Sequence, residues 1–177
     1  MQTPESLSRT RWLVLTALFI ALGVVLPIGF HSFSVLAGRM FLPMHIPVLI
    51  AGLFLGPSSG LLVGLVCPVL SFLLTGMPPP DKVLTMTLEL PLYGLAGGIA
   101  YRSLRIPLVI SLLIALIVGR VAYAFGLVII GQFLSLPFTP LQFLEYSTIV
   151  GIWGIIFQLV IIPPVVKALE KIRRFSS

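Results

Sequence analysis

GRMFLPMHIPVLIAGLFLGPSSGLLVGLVCPVLSFLLTGMPPP, residues 38–80, is the stretch that decides the fold. It sets two apolar segments between three loops of unusual composition. The run from His45 to Leu55 is about 16 Å of helix at ~1.5 Å per residue, short of a bilayer core of ~30 Å. The segment Arg39 to Pro43 must complete the crossing. Irregular backbone at that depth survives only against protein or water, so the stretch predicts a cavity near one membrane face, shielded by other helices.

Composition agrees with a membrane solvent. The chain has 177 residues, 58% of them hydrophobic and 9% charged, and a mean hydropathy of +1.16, more apolar material than a soluble domain of this size needs for its core. The net charge of +6 raises nucleic acid as a partner. The basic residues, however, sit in short runs beside apolar segments, where headgroups and topology account for them. Cys67 stands alone in an apolar run and reads as a small buried hydrophobe. The first apolar segment lacks a small-residue cleavage site and is long enough to span, so it reads as a retained helix.

The expected fold is all-α: an integral membrane protein of six transmembrane helices in one domain, 1–177. After a polar tail, 1–10, helices are expected at about Trp12 to Phe30, His45 to Leu55, Gly60 to Leu74, Lys82 to Tyr101, Pro107 to Gly131 and Phe143 to Val166, with a basic tail over 167–177. Lys and Arg in short loops stay cytoplasmic. With the N-terminus inside, the inner segments hold Arg9, Arg11, Arg102, Arg105, Lys167, Lys171, Arg173 and Arg174, and the outer ones only Arg39 and Lys82. Both termini are therefore expected in the cytoplasm.

Small residues four apart let membrane helices approach closely. Gly52 with Gly56, Gly60 with Gly64, Gly94 with Gly98, Ala115 with Gly119 and Ala122 with Gly126 read as internal packing. Ala17 and Ala21 in the first helix differ, leaving a shallow groove suited to a helix of another protein.

Three ionisable residues lie within or near the membrane: Glu89, Arg120 and Glu145. Such residues tend to mark pathways or sites. Glu89 and Arg120 lie about 12 and 16 Å from the outer ends of their helices, so two readings stand. They form an ion pair that latches two helices, or one of them meets a polar ligand while the other holds it in place. Helical spacing puts Met86, Glu89 and Tyr93 on one face, Arg120 and Tyr123 on another, and Tyr146, Trp153 and Phe157 along a third. Those three faces outline a cleft; as aromatic stripes they equally suit core or an interface belt.

Other chemistry is scarce. His31 and His45 have no Cys or carboxylate cluster beside them, which argues against a metal site. His45 and Ser58 or Ser59 occupy opposite ends of a helix, roughly 16 Å apart, too far for a hydrogen-bonded dyad. No phosphate-binding G-x-x-x-x-G-K-[ST] occurs, so any ATP hydrolysis belongs to partners. A scaffold protein without a ligand, or an intramembrane enzyme, are the alternative classes.

The size, the six-helix plan, Ala17-x-x-x-Ala21 and the run LPMHIPVLIAGLFLGP…GLLVGLVCPVLSFLLTGMPP resemble the S components of energy-coupling factor (ECF) transporters, the substrate-capturing subunits of bacterial vitamin importers. The resemblance covers nearly the whole chain. It implies a non-enzymatic subunit of the bacterial cytoplasmic membrane, with no cofactor, working with a transmembrane coupling subunit and two ATPases. The helix 1 alanines would dock on that coupling subunit, and the S component would topple in the membrane to release substrate inside. Substrate would be held near the outer face by the last three helices and the first outer loop. That places Arg39, His45, Met86, Glu89, Tyr93, Arg120, Tyr123, Tyr146 and Trp153 at the site. An Arg within reach suits a carboxylate, pointing to pantothenate or niacin, unless Glu89 already neutralises Arg120.

Overall fold

The computed structural model describes the backbone of residues 8–33, 41–133 and 140–175, with side chains at all of these except 31–33, 81 and 130–150. Ser8 opens α1 (Arg9–Phe33): its hydroxyl accepts the Arg11 N–H at 3.3 Å and its carbonyl the Trp12 N–H at 3.0 Å, covering donors that a helix start leaves unpaired. α2 (His45–Leu55) stops at Gly56, whose φ of +113° is a conformation side chains rarely adopt. Pro57 then begins α3 (Pro57–Thr75), where a missing N–H costs nothing. The turn expected over four residues is thus a single glycine. α4 (Pro80–Gly98) runs into a π-helical turn, Ile99–Ser103, followed by α5 (Leu108–Phe133) and α6 (Pro140–Phe175).

Polarity is arranged for lipid. Glu89, Gln158, Ser111 and Thr85 are buried, while Leu73 and Phe125 are 72% and 67% exposed; water would favour the reverse. Among the described residues five helices are long and apolar enough to cross a membrane. The sixth, α2, is the short one anticipated from its eleven residues.

That short helix is the centre of the bundle. α2 packs against all five other helices, and every residue in it except Leu55 is buried. Backbone meets backbone where Gly52, Gly60 and Gly94 converge: a Cβ on Gly60 would lie 2.6 Å from the Gly94 carbonyl carbon and 2.7 Å from the Gly52 Cα. Gly64 sits likewise on Leu90 and Pro91, and Gly98 on Pro57. The small residues expected to pack internally do so, apart from Gly56, which serves as the helix stop.

The far end of α2 is closed by charge. Arg102, delivered by the π-turn, donates from Nε to the Leu53 carbonyl at 3.0 Å and from Nη2 to the Phe54 carbonyl, covering acceptors that a helix end leaves bare. Glu170 of α6 holds Arg102 at 3.5 Å and accepts the Tyr101 hydroxyl at 3.1 Å, and the Arg173 guanidinium lies over the Phe54 ring. These contacts carry α6 to Phe175, so the residues expected as a basic tail continue the helix instead of leaving it near Val166.

α1 lies at the edge. Its inner face, Thr16, Phe19, Gly23 and Val24, is buried, with Thr16 hydrogen-bonded to Ser59 at 2.8 Å and Cys67 packed against Gly23 and the Ile20 carbonyl. The opposite face, including Val14, Ala17, Leu18, Ala21 and Val25, is exposed. Gly60→Ala should destabilise the bundle by about 1–3 kcal/mol or more through overpacking. Gly29→Ala, where an added Cβ meets nothing within 4 Å, should be neutral or stabilising by up to ~1 kcal/mol; melting of both variants in detergent checks the contrast.

Candidate functional site

The chain reaches α2 through a tight turn. Leu42 takes φ +49°, unusual for a branched side chain, and its carbonyl accepts the His45 N–H at 3.0 Å. Pro43 and Met44 are buried, and the Phe41 ring packs between Phe30 of α1 and Phe157 of α6, at centroid distances of 5.7 and 5.4 Å. The irregular backbone just ahead of α2 is therefore lined by protein, as its depth requires. The turn delivers His45 into the interior.

There His45 meets α4. Its Nε2 lies 3.6 Å from Glu89 Oε1, both side chains being 5% exposed, and its ring meets Tyr93 edge to face at 5.1 Å and 73°. Helical spacing stacks Met86, Glu89 and Tyr93 on one face, and Glu89 and Tyr93 are both buried. Met86 is half-buried against the core. On α5, Gly119 provides the space that the Tyr93 ring fills, which brings the next residue, Arg120, to the same level.

Arg120 has different company. Its guanidinium lies 6.0 Å from the Tyr123 ring centroid, a cation–π distance. Nη2 abuts Gly151 of α6, where a Cβ would come within 2.7 Å. Neither Nε nor Nη2, both buried, has a hydrogen-bond partner among the described residues. The ion pair between Glu89 and Arg120 that depth alone allowed does not form among the described residues: His45 takes the carboxylate, because the α2 turn inserts it beside α4. Lys82 adds a second cation, its Nζ 3.5 Å from the Tyr123 hydroxyl.

Residues 11–171 match the family described as "ECF transporter, substrate-specific component". The chain belongs to that family. Comparison with curated proteins and with solved structures gives no match. An S component is a substrate-binding membrane subunit and not an enzyme; ATP hydrolysis lies in the subunits it works with.

Of the residues that sequence places at the site of this S component, the structure brings together His45, Met86, Glu89, Tyr93, Arg120 and Tyr123. It does not bring Trp153, which is 57% exposed: the buried side of α6 runs through Gly151, Gly154 and Gln158, and helical geometry turns Trp153 away from it. Arg39 lies outside the described residues, as do the side chains of Glu145 and Tyr146. Gln158 was missed by sequence reasoning. It is fully buried, with neither Oε1 nor Nε2 paired among the described residues; its signal was a lone amide in the otherwise apolar run GIWGIIFQLVII, seven residues from Gly151. A double-mutant cycle with Ala at His45 and Glu89, read as unfolding free energy in detergent, should show coupling of about 0.5–3 kcal/mol, and one between Glu89 and Arg120 less than ~0.5 kcal/mol.

Proposed function

We propose that this S component captures a small water-soluble vitamin or vitamin precursor bearing a carboxylate, of the pantothenate or niacin kind, in the space between α2, α4, α5 and α6. The observation that carries this reading is the Arg120 guanidinium, whose buried Nε and Nη2 have no hydrogen-bond partner among the described residues, while Glu89 lies against His45. A guanidinium buried in a membrane is costly and marks function, and its planar fork matches a carboxylate with two parallel hydrogen bonds. Tyr123 and Lys82 flank it and favour an anion, and His45 with Glu89 forms the polar wall opposite. Arg39, Tyr146 and the first outer loop complete the site on this reading.

The site faces outward in the bacterial cytoplasmic membrane, with both termini inside: Arg102, Lys167, Lys171, Arg173 and Arg174 cluster at the opposite end of the bundle from His45 and Lys82, following the distribution of positive charge. Ala17 and Ala21, on the exposed side of α1, dock the transmembrane coupling subunit, which brings two ATPases, and release inside follows toppling of the S component.

Two measurements test this. Purified in detergent, the protein should bind nicotinate or pantothenate at least tenfold more tightly than the neutral counterparts nicotinamide and pantothenol, and Arg120→Ala should weaken the acid by about 2–4 kcal/mol, roughly 30- to 1,000-fold. Equal affinity for acid and neutral forms would sink the carboxylate reading. Ala17→Trp with Ala21→Trp should abolish assembly with the coupling subunit and uptake, leaving ligand affinity within about twofold, since α1 takes no part in the site. Loss of binding in that variant would assign the alanines to the internal fold.

A further inference from the structure

α6 is longer than the membrane it crosses. Its 36 residues make about 54 Å of helix at ~1.5 Å per residue, against a hydrocarbon core of ~30 Å, so its last turns reach the headgroups. Those turns present three faces at helical spacing. Glu170 and Arg173 turn inward, to Arg102 and the Phe54 ring. Lys167 and Lys171 form an exposed basic stripe that Arg174 continues. Beside it Pro164, Ala168, Ile172 and Phe175 form an exposed apolar stripe, and Phe175, at 80%, is the most exposed large hydrophobic side chain among the described residues.

The two lysines have no acid to answer them. Glu170 is the carboxylate described at this end of the bundle, and Arg102 holds it; among the described residues neither Lys167 nor Lys171 forms an ion pair. The apolar stripe, by contrast, has a continuation. Toward the middle of the helix the same line runs through Val160 and Trp153, both more than half exposed on the outside of the bundle. The surface that meets acyl chains in the bilayer core therefore continues to the last turn, with the lysines alongside it. Adjacent apolar and cationic faces are the pattern of a helix seated at an anionic leaflet; an acidic protein surface would answer the lysines alone.

We propose that the Lys167–Phe175 end of α6 binds an anionic phospholipid, whose phosphate meets Lys167 and Lys171 and whose acyl chains lie along Ala168, Pro164 and Val160. One helical turn, ~5.4 Å, separates the two lysines, so one phosphate reaches both ammonium groups. On the orientation given above this is a lipid of the cytoplasmic leaflet; the identity of the carried solute does not enter. The bound lipid bears on the turns that also carry Glu170 and Arg173, and so holds α6 against the inner end of α2.

The test uses the full chain in a neutral detergent and two probes that share their acyl chains and differ in net charge, dioleoyl phosphatidylglycerol and dioleoyl phosphatidylcholine. Binding is read by native mass spectrometry, and melting is followed with and without lipid. Wild-type protein should bind the anionic lipid about fivefold more tightly or better, and melt at a higher temperature with it than with the zwitterionic one. Lys167→Gln with Lys171→Gln should lose about tenfold for phosphatidylglycerol and less than about twofold for phosphatidylcholine, and should melt as the wild type does without lipid. Lys167→Arg with Lys171→Arg should keep the preference. Arg9→Gln with Arg11→Gln removes the same charge from α1 and should change the preference by less than about twofold. Equal affinity of the wild type for both lipids, or equal losses in the two glutamine variants, would overturn the site. So would an unchanged lipid preference in Lys167→Gln with Lys171→Gln together with lost assembly with the coupling subunit, which would assign the lysines to a protein partner. The carboxylate reading of Arg120 stands or falls separately, on affinity for acids.

Discussion

A helix too short to cross the bilayer, placed at the centre of a membrane bundle, must have both of its ends answered by protein. α2 meets that condition in two different ways. At its Leu55 end, Arg102 covers the Leu53 and Phe54 carbonyls, and Glu170 in turn holds Arg102. At its His45 end the chain enters through the Leu42 turn, and the first side chain of the helix reaches Glu89. There the Leu42 carbonyl takes the His45 N–H, no described side chain caps the helix, and the polar groups gathered beside it lie against one another. The glycine contacts of α2 with α3 and α4 follow from the same constraint, since a central helix can be enclosed on all sides only if its neighbours come very close.

Charge is partitioned by the same arrangement. The described interior holds Glu89 and Glu170 as carboxylates, and Arg102 and Arg120 as permanent cations. Glu170 goes to Arg102 and Glu89 to His45, so Arg120 is left with an aromatic ring and a glycine surface. The Tyr123 π face offsets part of the cost of that Arg; the hydrogen bonds that its Nε and Nη2 do not make among the described residues remain a cost. Arg120, with unmet donors, stands in contrast to Glu89, which lies 3.6 Å from the His45 ring nitrogen.

Much of this was legible in the chain. Helix number, the shortness of the second helix and the internal use of Gly52, Gly60 and Gly94 follow from apolar run length and small-residue spacing, which are local properties. The face of Met86, Glu89 and Tyr93 was likewise visible at helical spacing. Pairing was not. Depth along a helix places Glu89 and Arg120 at similar levels, but which partner each takes depends on the direction in which the Leu42 turn sends His45, and that is set by a single left-handed residue just ahead of Pro43. Trp153 was misplaced for a related reason: aromatic spacing identifies a stripe on α6 without saying which stripe faces inward, and the glycines at 151 and 154 were the better guide. Gln158 carried its signal in composition alone, an amide where every neighbour is apolar.

The two surfaces of the molecule are separated by its architecture. The polar interior belongs to α2, α4, α5 and α6, whereas the exposed alanine face belongs to α1, whose Phe30 ring meets Phe41 of the turn ahead of α2. α1 is fastened mainly to α3, by the Thr16–Ser59 bond and the packing of Cys67 on Gly23. Any influence of a bound ligand on a partner at α1 must then travel through α2 and α3 or through the Phe41 ring, which also lies on Phe157 of α6. The Phe41 ring is the one described side chain in the turn ahead of α2 that joins the first helix to the last, whereas the glycine-packed core is too tightly apposed to shift by small steps.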